Sequence, residues 1–353
     1  MPVVMPTTSP ATAGPYADLA AAFTGRLAVG ALHVEMGHGW DADDELDAMC
    51  RYAVDPPGKL FRPYLLLEAC TAVGGDLHTA VPAALGAEYG HVASLVHDDI
   101  IDNDAVRRGK ASVPAEYGRD HAIVVGDTLI FRLFLALSEC ANRGAPADRV
   151  VASLRAVALA GVDLCRGQTS DGRLRQGIDV GLDDYSEAVR GKTGALFRGA
   201  CEVGALLGGG SDEQVKALAT YGEQLGVAFQ MVDDLLAYRS TTATAGKDLL
   251  SDLRNRQMTF PLVVAGTLGG DAVRRALPAV FDRAAAVNGS DVDRQAVLDA
   301  VRDLLDSVSA LDEAARIVRR HATEALGALD ALPPSASRDR LAAMVTAAVE
   351  RVS

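Results

Sequence analysis

Nearly every long segment of this chain carries apolar residues at helical spacing, and no segment of useful length alternates apolar and polar residues as a strand does. Aromatic residues make up only 5% of the chain and alanine is abundant, which suits close packing of helix on helix. With 353 residues and 49% hydrophobic content, the chain can bury a large core. The sequence therefore predicts an all-α fold, a single-domain helical bundle over residues 16–353. Residues 1–15, rich in Pro and Thr, are predicted to be a disordered tail.

The charge and cysteine content restrict the partners and the compartment of the chain. A net charge of −13 argues against nucleic acid or an anionic membrane as the main partner. The five cysteines are scattered and lack metal-knuckle spacing, which predicts reduced thiols. The first 25 residues contain no Lys or Arg, and no apolar run reaches the ~18 residues that a membrane span needs. We therefore expect a cytoplasmic protein without a signal peptide or a membrane span.

The stretch 87–109, AEYGHVASLVHDDIIDNDAVRRG, combines an apolar helix pattern with a cluster of charges. Three carboxylates stand there in a DDxxD spacing: Asp98, Asp99 and Asp102. Because Asp98 and Asp102 are four residues apart, both side chains leave the same face of a helix. Carboxylates that close favour a cation between them, and Mg²⁺ prefers one or two carboxylates completed by phosphate oxygens and water. The following Arg107 and Arg108 suit the binding of phosphate oxygens.

The DDxxD pattern alone is weak evidence for a metal site. With 47 acidic residues in 353, such a pattern arises by chance roughly 0.8 times per chain, and a solvated charged helix face would explain it as well. A second acid pair, Asp233-Asp234, lies within an otherwise apolar helix, and Gln230 precedes it on nearly the same face. Carboxylates in such a helix are costly unless they are paired or metal-bound, which favours a functional role for this pair.

Three further segments carry basic or hydroxyl side chains near glycine. Lys59 and Arg62 follow Gly58 in a break between helices, where they could hold an anion at a helix N-terminus, although lone basic residues in loops are commonly only solvated. Lys192-Thr193-Gly194 lies within the predicted helix 183–207. The loop 240–247, which ends at Lys247, could form a lid over a phosphate.

Glycine, proline and capping residues set the expected helix boundaries. Ser211 with Gln214 predicts a capping box at the start of one helix. The predicted helices, in chain order, cover 17–54, 126–138, 150–178, 183–207, 211–238, 259–268, 290–307, 311–331 and 338–352.

Taken in order, the motifs resemble those of the trans-isoprenyl diphosphate synthases, or polyprenyl synthetases, from about Gly58 to the C-terminus. They are GKxxRP at 58–63, DDxxD with RRG at 98–109, GQxxD at 167–171, KTG at 192–194, FQxxDD at 229–234 and GK at 246–247. Each motif is unspecific alone, whereas their joint order is strong evidence. The resemblance implies an isoprenoid synthase bundle with a deep central cavity, usually a homodimer, in which two acid motifs face each other across the cavity mouth and hold up to three Mg²⁺ ions.

The resemblance also implies a role for each candidate site residue. It implies Mg²⁺ ligation by Asp98, Asp102 and Asp233, assisted by Asp99 and Asp234. It implies allylic diphosphate binding by Arg107, Lys192, Thr193, Gln230 and Lys247. It implies isopentenyl diphosphate binding by Lys59, Arg62, His91 and Arg108, and His97 is expected to be structural.

In such an enzyme, charge on the leaving diphosphate is neutralised by the metal ions and by cationic side chains, which favours ionisation to an allylic carbocation. The alkene of isopentenyl diphosphate then attacks, and a proton passes to the released pyrophosphate. The residues implied in catalysis are Asp98, Asp102, Arg107, Lys192, Asp233 and Lys247.

Three positions depart from the family pattern. The second acid motif has Ala237 in place of its third carboxylate, which suggests looser binding of one metal ion. Arg256-Gln257 replaces a second Gly-Lys, and Arg256 is a candidate substitute for the missing lysine. Leu60 stands where an arginine is usual. The expected consequences are slower turnover or an unusual substrate preference.

Product length is expected to depend on the helix face below Asp98. Four small residues lie on or beside that face: Ala87, Gly90, Ala93 and Ser94. Because none of them is aromatic, the sequence predicts geranylgeranyl diphosphate (C20) or a longer all-trans product, with Ala93 and Ser94 as the chain-length residues. Phe131 or Phe134 on the next helix is a candidate floor of the cavity.

Two other functions stay open on the sequence. A class I terpene cyclase of the same fold would ionise a prenyl diphosphate but would need no second diphosphate site. The retained basic residues of that second site argue against it. A non-catalytic partner subunit of a prenyl synthase would tend to lose its acid motifs, and both are kept here, although Ala237 alters the second one.

Overall fold

The computed structural model describes residues 39–41, 43–174, 180–239, 243–287 and 291–350. The predicted tail at 1–15 and most of the predicted helix at 17–54 lie outside these residues. The helices are α1 (Glu45–Val54), α2 (Phe61–Ala72), α3 (Leu77–Asp102), α4 (Val113–Tyr117), α5 (Arg119–Asn142), α6 (Ala147–Leu174), α7 (Leu182–Val189), α8 (Ala195–Gly208), α9 (Asp212–Arg239), α10 (Ala243–Arg254), α11 (Phe260–Ala286), α12 (Asp291–Asp306), α13 (Ala310–Ala328) and α14 (Ala336–Val349).

The described residues confirm the all-α prediction but differ from it in four places. The predicted helix 183–207 is divided, because a π-helical turn over Arg190–Gly194 separates α7 from α8. The predicted loop 240–247 is helical from Ala243 onward. Two short strands, β1 (Val106–Arg107) and β2 (Lys110–Ala111), pair as an antiparallel hairpin after α3. Finally, α11 runs well beyond residue 268, across a non-helical break at Gly270.

Helix α3 is central to the part of the fold that carries the acid motif. It packs along α5 and against α2, and α8 in turn packs against α2, α6 and α9. The α3 face turned to these neighbours is rich in small residues, which allows the close packing of helices expected from the composition. Its fully or nearly fully buried apolar side chains include Ala80, Ala83, Ala84, Val92, Ala93 and Val96.

The ends of α3 are fixed by local hydrogen bonds. At its start, the Asp76 side chain accepts from the backbone N–H of His78 at 3.0 Å. At its end, Asn103 adopts a left-handed conformation with φ 55°, and its N–H donates to Asp99 O. The acid motif therefore occupies the last turn of a helix of 26 residues. The predicted capping box of α9 is confirmed, since Ser211 and Gln214 exchange bonds of 3.0 and 3.3 Å.

A buried ion pair attaches the C-terminal helix to α2, whose first turn carries Arg62. Arg340 of α14 donates to both carboxylate oxygens of Glu68, each at 2.7 Å, and the Tyr64 hydroxyl donates to the same carboxylate. Such a bidentate pair is geometrically specific. Among the described helices, none combines the length and the apolar character required to cross a lipid bilayer.

Candidate active site

The residues singled out in separate motifs meet in one cavity of about 820 Å³, called here the main cavity. Segments from α2, α3, the hairpin, the π-helical turn and α9 line it. The predicted site residues on its wall are Lys59, Arg62, His91, Ser94, Asp98, Arg107, Arg108, Lys192, Thr193, Gln230 and Asp233. Positions up to 174 residues apart in sequence are thus brought to one concave surface, the form expected of a small-molecule site.

The three carboxylates of the first acid motif point in different directions. Asp98 lines the main cavity, and Asp102, one turn further along α3, is exposed. Asp99 is only 2% exposed, and its carboxylate accepts from Arg107 Nε at 2.7 Å. Burial raises the pKa of Asp98, and the nearby Asp102 and Asp171 raise it further, whereas Lys192 and Arg107 lower it. Carboxylates and cationic side chains therefore both act on Asp98.

The second acid pair is divided in the same way. Asp233 lines the main cavity, whereas Asp234 is held inside the protein by three donors. The donors are the Tyr185 hydroxyl at 2.8 Å, the Phe260 N–H at 2.9 Å and the Gln230 side-chain amide at 3.0 Å. Burial raises the pKa of Asp234, and these hydrogen bonds oppose that rise. Each acid motif thus presents one carboxylate to the cavity and uses its neighbour for internal contacts.

The carboxylates fit a metal ion that also binds its substrate. Within the part of the chain that the structure describes, no three Asp, Glu, His or Cys side chains could hold a metal ion by themselves. The mutual repulsion around Asp98 nevertheless favours a cation there. Mg²⁺ suits such a site because it takes one or two carboxylates and completes its shell with phosphate oxygens and water.

Lys192 and Thr193 line the cavity at a point where two backbone segments lie very close together. They lie in the π-helical turn, which contacts α6 at Gly167 of the GQxxD motif. A Cβ at Gly167 would lie 2.2 Å from the backbone nitrogen of Lys192, so only glycine permits this approach. The Lys192 ammonium then meets Asp171 at 3.0 Å, and the Thr193 hydroxyl donates to the Gln230 carbonyl oxygen at 3.0 Å. Single-turn π-helices often mark functional sites, and this one carries two of the predicted site residues.

The two adjacent arginines contact different carboxylates. The β1–β2 hairpin turns at Arg108-Gly109, with φ of 52° and 80°, values typical of a two-residue hairpin turn. Arg107 precedes the turn and pairs with Asp99 and Asp104. Arg108 lies within it, 3.7 Å from Glu88, and donates to Pro56 O.

Arg62 and His91 lie on a more deeply buried part of the main cavity wall. The Arg62 guanidinium stacks on the Phe197 ring at 4.8 Å, and Phe229 packs against that ring. Burial and the neighbouring Arg108 lower the pKa of Arg62 to about 10, against the effect of Glu88, so Arg62 stays charged. Burial, followed by the charges of the nearby arginines, holds the pKa of His91 well below its usual range, so its ring is neutral. His97, by contrast, packs over Gly126 of α5.

The remaining predicted positions are placed differently. Lys247 belongs to α10, but its side chain lies outside the described residues. Arg256 does not replace the missing lysine, because its guanidinium pairs with Asp282 of α11. Gln257 instead lines a smaller polar cavity of about 160 Å³ with Asp234 and Tyr185. Leu60 adopts φ 53° at the start of α2 and is buried.

An apolar cavity, called here the lower cavity, adjoins the main cavity through Arg62 and Leu196. Ala87 and Gly90 of α3, which the spacing predicted, form one of its walls with Gly86. Leu133 of α5 also lines it and fills the space beside Gly90, because a Cβ at Gly90 would lie 2.6 Å from Leu133 Cδ1.

The predicted chain-length and floor residues need correction against this geometry. Ala93 is 1% exposed, packs in the core, and lines neither the main nor the lower cavity, because it leaves α3 on another face than Ser94. The floor prediction at Phe131 or Phe134 is also corrected. Phe131 is 68% exposed, Phe134 packs against the core, and neither lines the lower cavity.

Four residues that received no predicted role have structural links to the site. They are Glu88, Leu133, Asp171 and Tyr185. Asp171 ends the GQxxD motif, which was a usable signal, and its charge raises the pKa of both Asp98 and Asp234. Glu88 lies three residues before His91, hence on nearly the same helix face. Leu133 and Tyr185 carry no sequence signal that separates them from ordinary core residues.

Comparison with known proteins agrees with the motifs. The family model described as Polyprenyl synthetase matches residues 43–311. A (2E,6E)-farnesyl diphosphate synthase of Mycobacterium bovis is 37% identical over 269 residues, which cover 76% of this chain and 72% of that protein. An octaprenyl diphosphate synthase of Haemophilus influenzae is 30% identical over 306 residues, covering 85% and 86%. The crystal structure of a geranylgeranyl pyrophosphate synthetase from Pyrococcus horikoshii superposes with a TM-score of 0.84 at 30% identity, covering 96% of this chain and 99% of that one.

Proposed function

Because the chain belongs to the polyprenyl synthetase family, we propose that it condenses isopentenyl diphosphate with an allylic diphosphate, in a Mg²⁺-dependent reaction, to a longer all-trans prenyl diphosphate. The observation that carries this proposal is that the side chains of two diphosphate sites line a single cavity. The allylic diphosphate site has side chains from the π-helical turn and α9, namely Lys192, Thr193 and Gln230. The isopentenyl diphosphate site has side chains from the start of α2 and from the hairpin, namely Lys59, Arg62 and Arg108. A terpene cyclase would need only the first of these sites.

Mg²⁺ ligation is assigned to Asp98, Asp102 and Asp233, with up to three ions per site. The first and third of these carboxylates line the main cavity, and Asp102 lies one helical turn from Asp98, which supports the assignment. Asp99 and Asp234 act indirectly, since their carboxylates already hold Arg107 and the Tyr185–Gln230 pair. Bound Mg²⁺ neutralises charge on the leaving diphosphate.

The allylic diphosphate binds through Arg107, Lys192, Thr193, Gln230 and Lys247. The isopentenyl diphosphate binds through Lys59, Arg62, His91 and Arg108. When the allylic C–O bond breaks, Lys192 and Arg107 stabilise the diphosphate that leaves. The alkene of isopentenyl diphosphate attacks the allylic cation to form the new C–C bond, and a proton passes to the released pyrophosphate. Neutral His91 can donate a hydrogen bond without adding charge.

The product is proposed to be geranylgeranyl diphosphate (C20) or longer. This rests on the small residues Ser94, Gly90 and Ala87, which line the path from the main into the lower cavity. From Asp98 to Gly90 this path follows about 12 Å of helix. Leu133 lines the lower cavity beside Gly90 and is the residue proposed here to limit further growth. The relatives, which are named for products of different length, leave this choice open.

The protein is further proposed to be a cytoplasmic homodimer. Two neighbouring helices, α5 and α6, expose large apolar side chains at helical spacing, as expected of a surface covered by a second copy. These side chains are Ile123, Val124, Ile130, Phe131 and Leu135 on α5, and Val151, Leu159 and Val162 on α6. The five cysteines are unpaired, which supports a reducing compartment.

A product assay tests the reaction. Purified protein is incubated with Mg²⁺, isopentenyl diphosphate and, separately, C5, C10 and C15 allylic diphosphates, and the products are sized by mass. Discrete longer linear diphosphates, lost with a chelator and in Asp98→Asn, are the expected result. Cyclic hydrocarbon formed from an allylic diphosphate alone would instead identify a cyclase. Metal-dependent binding without any product would identify a partner subunit.

A further inference from the structure

Glu88 is a buried carboxylate that the reaction described above does not use. It lies on α3, is only 1% exposed and lines the main cavity beside Arg62, His91 and Arg108. Its Oε1 atom lies 3.7 Å from Arg108 Nη2, too far for a hydrogen bond but close for an ion pair. A buried carboxylate at such a place is costly unless it balances positive charge.

The positive charge that Glu88 can balance belongs to two guanidinium groups from distant segments of the chain. Arg62 comes from the first turn of α2 and Arg108 from the hairpin turn after α3. Each charge acts on Arg62, since Glu88 raises its pKa and Arg108 lowers it. Two guanidinium groups in one cavity wall repel each other, and a nearby anion offsets that repulsion. Here Glu88 supplies the negative charge.

Besides Glu88, the Arg108 guanidinium contacts the segment that precedes α2. It packs against Gly58, where an added Cβ would lie 2.5 Å from Nη2, and it makes a long bond of 3.4 Å to Pro56 O. Three side-chain atoms on this wall, Arg62 Nε, Glu88 Oε1 and His91 Nδ1, are buried without a hydrogen-bond partner. Arg62 Nε among them is an unused N–H donor, which suits an anionic ligand, whereas Glu88 Oε1 faces Arg108.

We propose that Glu88 is a positioning residue for the isopentenyl diphosphate site: its buried carboxylate, 3.7 Å from the Arg108 guanidinium and in the same cavity wall as Arg62, holds these two cations where one diphosphate group can contact both. Glu88 does not touch the substrate, and it acts through the two arginines. The proposal rests on the proposed function for the identity of the ligand. Glu88 thereby preorganises the second diphosphate site before the substrate binds, which reduces the entropy lost on binding.

Steady-state kinetics of Glu88→Gln test the proposal, with each substrate varied while the other is saturating. Because the side chain keeps its size and loses its charge, the KM for isopentenyl diphosphate should rise about tenfold while the allylic KM changes by less than about twofold. In an Arg108→Gln background, Glu88→Gln should add little, because the group through which Glu88 acts has already been removed.

Glu68→Gln is the matched control, since Glu68 is also a buried glutamate paired with an arginine, away from the cavity. It should leave both KM values unchanged. A lower or unchanged KM for isopentenyl diphosphate in Glu88→Gln would overturn the proposal, as would an equal rise of both KM values. If Glu88→Gln does not fold, Glu88→Asp keeps the charge at a shorter reach and should raise the same KM to a smaller extent.

Equilibrium binding of isopentenyl diphosphate, measured by calorimetry without an allylic substrate, separates this proposal from the proposed function. Loss of affinity in Glu88→Gln supports the positioning role even if the wild-type chain does not elongate. Wild-type affinity in the variant rejects that role even if the chain is an active synthase.

Discussion

Arg107 and Arg108 are adjacent in the chain, yet their guanidinium groups pair with carboxylates ten or more residues apart on α3. Arg107 Nε donates to Asp99 at 2.7 Å, whereas Arg108 lies 3.7 Å from Glu88. The hairpin turn at Arg108-Gly109 causes this division, because it reverses the chain directly after Arg107. Under the proposed function, one RRG motif would supply a cation to each of the two diphosphate sites.

The first prediction follows from this division. Arg107→Gln should raise the KM for the allylic diphosphate, and Arg108→Gln the KM for isopentenyl diphosphate. Each should rise by about tenfold or more, because a hydrogen bond to a charged group contributes about 1.5–3 kcal/mol. Kinetics with both substrates varied measure the two constants separately. Identical effects of the two variants would show that the arginines serve a single site.

The second prediction concerns product length. Leu133→Ala should open the lower cavity and lengthen the product, because Leu133 Cδ1 fills the space beside Gly90. The substitution should also lower the free energy of unfolding by about 2–5 kcal/mol. Ser94→Phe should shorten the product, since Ser94 lines the main cavity. Ala93→Phe should chiefly destabilise the protein, because Ala93 is packed in the core.

Mass analysis of the products checks these lengths, and Leu268→Ala is the matched control. Leu268 is an exposed leucine on α11, and it lines neither the main cavity nor the lower cavity. It should leave both the product length and the stability close to those of the unaltered protein. An unchanged product in Leu133→Ala would place the floor elsewhere.

The third prediction concerns the backbone contact behind Lys192. Gly167→Ala should lower kcat and lower the free energy of unfolding by about 1–3 kcal/mol, because the added Cβ would overlap the π-helical turn. Gly161→Ala, on the same helix with nothing within 4 Å, should instead raise that free energy by about 0.5–1 kcal/mol. Denaturant unfolding and turnover are measured for both. Equal behaviour of the two variants would mean that the close approach is unimportant.

The fourth prediction concerns pH. Burial holds the pKa of His91 below its usual value of 6.5 in the folded protein. Below pH 6.5 the unfolded chain therefore takes up a proton that the folded one does not, and the free energy of unfolding falls as the pH is lowered. Between pH 7.5 and 5.5 this loss amounts to up to about 1.4 kcal/mol for one histidine.

Denaturant unfolding at both pH values checks this effect. His91→Gln should lose less stability on acidification than the unaltered protein, because its side chain does not titrate. His78→Gln, which alters an exposed histidine, serves as the control and should keep the full loss. If His91→Gln and the unaltered protein lost the same amount, His91 would be ruled out as a source of the acid sensitivity.

The sequence by itself determined the all-α class, the capping box at Ser211 and most of the residues that meet in the main cavity. These inferences succeed because they depend on local rules. Helical periodicity follows from backbone geometry, and carboxylates inside an apolar helix need a partner wherever that helix lies. Each motif is likewise a short local segment, so the motifs and their order can be read directly from the sequence.

Only the tertiary structure decided what each of these residues contacts. Asp98 and Asp99 are adjacent, and which of them faces the cavity depends on where α5 and the hairpin pack. Helix α5 is apolar on more than one face, so periodicity could not distinguish the exposed Phe131 from Leu133, which lines the lower cavity. The role proposed for Glu88 does not follow from its place on the helix, because it depends on Arg108, which the hairpin brings to 3.7 Å from it.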